Sequence, residues 1–561
     1  MEKALGLPEI IACIGKYLDR SEILNCIRVQ KSWKSELEPL LWRTFTCRPS
    51  FDDYGAPSIV PKPNLVLMQQ NAHNIRRLFI EEMDPAYHMA FFSQCSQLEE
   101  ITFIVARTLP RNTQAEQVTW VRFADMIQNH PRLTKIVIEG SLFKTISLSA
   151  TLMHAIRKCP KLIALEISEC TFDSESTEAY LRACCGNIRR VSTRHDEFSS
   201  DFNFSSFDLV FPEMRYFDLR EITGMSIDTQ MEWISRCPNL ISLYWESPHL
   251  ISGSKFCQIL EKSCPYLTAL HLLLPLIDKE IEQILETIPR VEKLSLTRAQ
   301  FGRLAFKALR RHFPTLRDIN LQLSPEAGSA MIQEILSSCP KLESISGETL
   351  SYSDIMKGPW VCQNLQMFDV GIRIAEPNEE GYSRPQDWPL VAHRAVYERL
   401  SQLTKLQYLS ICNNDDVTEE GLILSLDAGL RRLETLKDLR FFSCKLLLYQ
   451  TCQRGEAIEV VEWMVQHWKN LESLEGALDM EGVEIAERIV GTVKGHGIQF
   501  LDYHEVMDEM DDDYHFEDDD DEDEFYDEFD FTDHEYDEEY FGDLDPDETY
   551  LEDLLNNLDM H

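Results

Sequence analysis

The sequence predicts an α/β solenoid, with short parallel strands along a concave face and helices along a convex one. Three observations predict it. One short phrase recurs along the chain at a nearly constant spacing, helix-like stretches separate its copies, and 561 residues are too many for a single compact core.

The phrase is an apolar residue, two others, an apolar residue, one other, and an apolar residue. A proline often sits two places before the first. It reads CPKLIALEI at Cys159–Ile167, CPNLISLYW at Cys237–Trp245, CPYLTALHL at Cys264–Leu272, IPRVEKLSL at Ile288–Leu296 and FPTLRDINL at Phe313–Leu321. Weaker copies are HPRLTKIVI, FPEMRYFDL, CPKLESISG and CQNLQMFDV, and two late ones are LTKLQYLSI and LETLKDLRF. Marked by their first apolar residue, ten copies fall at Leu133, Leu162, Ile188, Met214, Leu240, Leu267, Val291, Leu316, Leu342 and Leu365, with gaps of 29, 26, 26, 26, 27, 24, 25, 26 and 23. That period lies in the leucine-rich-repeat range. Alternation at period 2 predicts a strand with one buried face. The stretches between, such as STEAYLRAC, MEWISRC, FCQILEKSC, EIEQILETI and MIQEILSSC, place apolar residues at helical spacing, as in Ile332, Ile335 and Leu336. The proline then ends each helix. A single strand–helix unit cannot bury its own apolar face, so the copies stack.

These repeats resemble the cysteine-containing leucine-rich repeats of F-box proteins. The best matches are CPKLIALEISECTFD, with Cys159 and Cys170, and LTKLQYLSICNNDDVTEEGL, with Cys412. The resemblance covers roughly 400 residues and implies the fold. The recurring Cys159, Cys237, Cys264 and Cys339 read as buried fillers at helix ends rather than redox or metal groups. The array is expected over 75–500, with an insertion loop at about 375–400 that breaks the period.

Before the array, residues 5–45 read LGLPEIIACIGKYLDRSEILNCIRVQKSWKSELEPLLWRTF. Ile10, Ile11, Ile14 and Leu18 suit one helix face. Ile23, Leu24, Ile27 and Val29 suit a second helix, with Ser21 as its cap, and Trp33, Leu37, Leu40, Leu41 and Trp42 suit a third. So much apolar surface on some 40 residues calls for a covering partner. The segment resembles an F-box: Leu7-Pro8, Tyr17-Leu18-Asp19, Val29, Trp33 and Leu41-Trp42 fall in the family's order and spacing. The resemblance implies docking on a Skp-family adaptor and through it a cullin ubiquitin ligase. Leu7, Pro8, Ile11, Leu18, Ile27, Val29 and Trp33 are expected to form or support the docking face. The alternative is an unrelated helical cap on the solenoid. Expected boundaries are 1–45 for the F-box, 46–74 for a linker and 501–561 for a tail.

The net charge of -41 is unevenly spread, because residues 501–561 hold 30 Asp plus Glu and no Lys or Arg, leaving a net of -11 on 1–500. Such a run cannot fold alone, so a disordered acidic tail is expected. Phe516, Phe525, Tyr526, Phe529, Phe531, Tyr540 and Phe541 lie within it, a composition suited to a basic partner. Leu551, Leu554, Leu555 and Leu558 suit an amphipathic helix, and Leu551, Leu554, Leu558 and Met560 also resemble a leucine-rich nuclear export signal.

Side chains alternate on a strand, so the residues between the buried ones face the concave side. This puts Arg190, Ser192 and Arg194 on one strand, Tyr216, Asp218 and Arg220 on the next, then Tyr244 and Glu246, then His271. Arginine and tyrosine are enriched at binding hot spots. Arg190, Arg194, Tyr216, Asp218, Arg220, Tyr244, Glu246 and His271 are therefore the candidate substrate-binding residues, unless they are simply solvated. Arg190, Arg194 and Arg220 look like a positive cluster, against which a tethered acidic tail would compete with substrate.

No secretory signal and no membrane-length apolar run is visible, so a soluble protein of the cytoplasm, the nucleus or both is expected, with reduced cysteines. No C-x-x-C pair, helix-spaced histidine pair, phosphate loop or hydrolase motif occurs. The expectation is an adaptor that is not an enzyme, with no cofactor, no metal, and no nucleic-acid or membrane partner. The alternative function is a repeat scaffold or chaperone for basic proteins, acting through the tail.

Overall fold

The computed structural model describes residues 7–502, except for 48–49, 52–56, 59–69, 82–91, 93, 105–112, 141–145, 250, 325, 375–387, 412–420, 444–456 and 477–482. The described chain opens with three helices: α1 (Pro8–Gly15), α2 (Arg20–Val29) and α3 (Lys31–Leu41). Proline suits the first turn of α1, where no partner for its missing N–H is needed. The cap of α2 is Asp19 rather than the expected Ser21. Asp19 Oδ1 accepts from Glu22 N at 2.7 Å, and Glu22 Oε2 accepts from Asp19 N at 2.8 Å. This reciprocal pair satisfies two donors at once, and Ser21 donates its hydroxyl to Asp19 at 2.8 Å instead. Ile11, Ile23 and Leu37 form a small core, sealed by half-buried Leu18, Cys26, Ile27, Trp33, Leu40 and Leu41. A Cβ on Gly15 would stand 2.5 Å from Leu37 Cδ2, so glycine lets α1 lie against α3.

Among the described residues, seventeen strands make one parallel sheet in sequence order. They are β1 (Thr44–Cys47), β2 (Arg77–Glu81), β3 (Glu100–Ile104), β4 (Lys135–Glu139), β5 (Ala164–Ser168), β6 (Arg190–Arg194), β7 (Tyr216–Arg220), β8 (Ser242–Glu246), β9 (Ala269–Leu273), β10 (Lys293–Ser295), β11 (Asp318–Asn320), β12 (Ser344–Ser351), β13 (Met367–Arg373), β14 (Tyr408–Ser410), β15 (Phe441–Ser443), β16 (Ser473–Gly476) and β17 (Gln499–Asp502). Ten of them, β4 to β13, begin two residues after the ten marks, and every mark is buried. The five helical stretches named above match Ser174–Cys184, Ile227–Ser235, Gly253–Ser263, Asp278–Thr287 and Ser329–Ser338, the last four running one or two residues past the helix end. One continuous core runs between sheet and helices and takes in Ile332, Ile335 and Leu336.

Four boundaries move. β1 crosses the expected F-box/linker junction, because Thr44–Cys47 pairs with Arg77–Ile80 at the head of the sheet. In LETLKDLRF the strand starts three residues later than the phrase implies. Leu433, Leu436 and Leu439 are all buried, but only Leu439 stands two residues before β15. The expected insertion loop is half helix, since Trp388–Leu400 buries Ala392, Val396, Tyr397 and Leu400 against the core. Its first half, 375–387, lies outside the described residues. Finally, Leu501 and Asp502 belong to β17, and the rest of the expected acidic tail, with its aromatic and leucine positions, also lies outside.

The predicted filler cysteines are buried, and their thiols turn to backbone oxygens: Cys159 to Ala155 O at 3.6 Å, Cys237 to Trp233 O at 3.4 Å and Cys264 to Ile234 O at 3.8 Å. Burial pushes Cys159 up to about 11 and Cys264 and Cys339 up to about 12, and Cys237 also rises. Cys170 is buried too, while Cys412 lies outside the described residues. Among the described residues, no helix is long and apolar enough to cross a membrane.

Candidate protein-binding face

The strand that breaks the apolar rule builds one side of this face. In β6 the third apolar position of the phrase is Thr193, which is buried. Its hydroxyl pairs with Tyr180 Oη at 2.8 Å from the helix beneath, so the buried polar group is satisfied. Arg190 and Arg194 are exposed on the side away from the helices, and Ser192, though buried, turns to the same side, where it bonds Asp218.

The parallel register then aligns the candidates in three rows. Arg190, Tyr216 and Ser242 stand side by side; so do Ser192, Asp218, Tyr244 and His271; so do Arg194, Arg220 and Glu246. All eight candidate residues therefore lie on one stretch of four strands. Neighbouring strands stand about 4.8 Å apart, so side chains along a row touch.

Asp218 organises the stretch. Its Oδ2 accepts from Arg194 Nη2 at 3.0 Å and from Ser192 Oγ at 3.0 Å, and its Oδ1 accepts from Arg220 Nε at 2.9 Å. The guanidinium of Arg220 also lies 3.7 Å above the Tyr244 ring, and Tyr244 stacks on His271 at 5.7 Å between ring centres. Arg190 stands 5.0 Å from the Tyr216 ring centre, and among the described residues no carboxylate pairs with it. The expected positive cluster is thus corrected. Arg194 and Arg220 share one carboxylate, and Arg190 is the cation left to a partner.

Burial shapes the remaining groups. It raises the Glu246 carboxyl, assisted by neighbouring Glu221 and opposed by Arg220 and His195. It lowers His271, opposed by Asp318, so the imidazole favours its neutral form. Burial also raises the Tyr244 phenol, against the pull of Arg220. The stretch is a set of preorganised aromatic and guanidinium surfaces with satisfied polar edges, suited to holding a protein surface.

No known family description matches this chain, and no curated protein matches it. Solved structures that overlap it weakly include the following two. An internalin from Listeria monocytogenes str. 4b F2365 shows 11% identity and a TM-score of 0.24, over 78% of this chain and 88% of that one. A protein from Bacteroides fragilis shows 13% identity and a TM-score of 0.26, over 49% of this chain and 65% of that one. Likenesses this distant carry no argument about function.

The N-terminal candidates divide. Leu7, Pro8 and Val29 are exposed, with Leu7 at 49% and Val29 at 75%. Leu18, Ile27 and Trp33 are half-buried against the small core, and Ile11 is inside it at 1%. Ile11 therefore holds the bundle together and presents no surface. Tyr17, at 87%, and Leu24, at 39%, are further exposed apolar groups of the same bundle.

Sequence reasoning missed two features of the sheet. His195 and Glu221 pair at 2.9 Å just past β6 and β7, and both have positive φ. Glu169, Arg298 and Leu323 adopt the same conformation at the same position of their repeats, five residues after the strand begins. None is glycine, so composition gave no hint. The second feature lies further along, where Tyr408 and Phe441 stack face to face at 4.3 Å. Applying the alternation rule to the late phrases would have found Tyr408. The three-residue shift hid Phe441.

Proposed function

We propose that this chain is a non-catalytic adaptor. On this reading α1–α3 dock on a Skp-family subunit of a cullin ligase, and the open face of the sheet holds a protein for ubiquitination. The observation that carries it is the direct join between bundle and sheet. α3 ends at Leu41 and β1 begins at Thr44. Trp42 stacks on Phe45 at 6.4 Å, and both pack on the solenoid core. A rigid join suits a protein that must hold a bound substrate at a fixed place relative to a docked ligase.

The exposed apolar groups of the bundle are the natural docking surface, since isolated bundles of this size leave such groups to partners. Leu7→Ser with Val29→Lys suits the test, because serine is favoured at a helix N-cap and lysine at a helix C-terminus. Recovery of a Skp-family adaptor with the full chain, lost in this double variant at unchanged thermal stability, is the expected result. Full recovery with a chain that begins at Trp42 would refute the docking assignment.

The second reading, a scaffold or chaperone for basic proteins, is favoured by the 30 acidic and no Lys or Arg residues in 501–561. It predicts capture of histone-like proteins that is lost without the tail and indifferent to the double variant.

A further inference from the structure

The residues just before the strands form a lateral row along the rim of the open face, tied together by the backbone. Arg189 O accepts from Arg215 N and Tyr216 N, each at 2.9 Å, and Arg215 O accepts from Ile241 N at 2.9 Å. Elsewhere in this row and in the first row of strand residues, cations meet carboxylates of the adjoining repeat. Arg76 pairs with Glu99 at 2.9 Å, Arg77 with Glu100 at 3.2 Å and Lys293 with Asp318 at 3.5 Å. Arg317 pairs with Glu343, and Arg440 with Glu472 at 3.4 Å.

At β6 and β7 this pairing fails. Three exposed arginines adjoin there: Arg189 just before β6, Arg190 at its start, and Arg215 just before β7. Among the described residues, the one carboxylate that pairs with any of them is Glu213, 3.8 Å from Arg189. Arg190 lies against the Tyr216 ring, and Arg215 has no ion-pair partner. The row continues with Ile163 on one side and Ile241 on the other, so neither neighbour supplies charge. Ile163 is 44% exposed. Like charges on adjoining strands cost stability. The other repeats show that a carboxylate fits these positions, so its replacement by arginine is a local cost of the kind found at functional sites.

We propose that Arg189, Arg190 and Arg215 hold an acidic segment of the bound protein, whose carboxylates take the place that the adjoining repeat fills elsewhere. Guanidinium groups grip carboxylates through paired N–H donors, and the stack on Tyr216 holds Arg190 ready for one. Carboxylates fit better than phosphates, because Glu and Asp are the groups that meet arginine and lysine at the same rows of the other repeats. Exposed Ile163 favours an apolar residue beside the acidic ones. The site rests on reading the open face as the partner-binding face, and it adds the chemistry of the partner: adjacent acidic residues next to an apolar one.

The full chain with 3-fluorotyrosine at Tyr216 alone gives one fluorine signal beneath Arg190. Three capped peptides serve as probes: Gly-Leu-Glu-Glu-Leu-Gly, its Gln-Gln counterpart, and a counterpart with phosphoserine-serine, which carries about the same charge as the first. The chain's own acidic residues are present in every arm, so the peptides are compared with one another. A saturable shift is expected, with the Glu-Glu peptide about tenfold tighter than Gln-Gln at low salt. The difference should shrink at about 0.5 M salt, where charges are screened within a few ångströms. Arg215→Glu is expected to remove most of the preference for Glu-Glu, with a melting temperature equal to or above that of the natural chain, because it restores the cation–carboxylate alternation beside Arg189. Equal responses to Glu-Glu and Gln-Gln, or no response, would overturn the site. So would a preference that survives Arg215→Glu together with a lower melting temperature, since the arginine would then serve the fold. Tighter binding of the phosphoserine peptide would overturn the carboxylate assignment. The peptides involve no ligase. Glu-Glu preference without adaptor recovery would therefore sink the ubiquitin reading alone, and adaptor recovery without that preference would sink the acidic-segment site alone.

Discussion

At the scale of single residues, buried charge decides more than sequence pattern. Asp196 is fully buried, and its Oδ1 accepts from Cys170 N at 2.8 Å while Oδ2 has no hydrogen-bond partner among the described residues. Burial raises its carboxyl well above the usual range, assisted by Glu169 and opposed by the backbone N–H groups of Cys170 and Arg194. The folded state therefore holds this proton more tightly than the unfolded chain. Its contribution to stability is complete below the unfolded carboxylate range and is lost as pH rises through the folded pKa. Asp196→Asn keeps the bond to Cys170 and cannot ionise. Its melting temperature should fall less than that of the natural chain between acid and neutral pH, and parallel curves would disprove the assignment. A second residue separates binding from folding. Arg190 touches Tyr216 and no described carboxylate, so on the proposed adaptor reading Arg190→Glu should reduce substrate ubiquitination while shifting stability by no more than about 0.5 kcal/mol. Arg220 is a poorer choice, because it is tied to both Asp218 and Tyr244. An unchanged ubiquitination rate in Arg190→Glu would remove this stretch from consideration.

At the scale of elements, the three-helix bundle shows why a docking list and a core list must be kept apart. Ile11, Ile23 and Leu37 are interior, while Leu7 and Val29 are not. Ile11→Ala should cost about 2–5 kcal/mol, a large share of what a bundle this small can hold. Its loss of adaptor binding would thus report unfolding. In Leu7→Ser with Val29→Lys the helical signal should be intact. Circular dichroism with thermal melts distinguishes the two, and equal melts for Ile11→Ala and the natural chain would show that the core is elsewhere. The helical pattern of residues 8–41 was legible in the sequence. The facing of each side chain was not, because the inward side of α2 depends on where α1 and α3 sit. The same holds for its cap: Asp19 and Ser21 are both capping residues, and the tertiary start of the helix chose between them.

At the scale of the whole molecule, the sheet ties the helical bundle to the repeats by register. β1 covers the edge of β2, and Arg43 O accepts from Arg76 N and Arg77 N, each at 2.9 Å. A chain that starts at Asn74 loses this strand and bares an open edge, which invites association. It should aggregate or melt earlier than one that starts at Trp42, as read by light scattering and thermal unfolding. Identical behaviour would mean that β1 adds nothing. The repeat architecture itself was determined by the sequence. Burial of one strand face needs period 2, a stack needs a constant spacing, and both are local properties of residues a few places apart. The ten marks accordingly predict ten strand starts. The sequence also determined which residues of β6 to β9 turn to the open face, for the same reason of alternation. What it left open depends on residues about 26 apart that meet only through lateral register. Examples are Asp218 beside Arg194 and the positive-φ corners at Glu169, His195 and Glu221. The helix at Trp388–Leu400, where the sequence suggested a loop, is of the same kind. Its apolar residues are helical only because the neighbouring repeats offer a core to bury them.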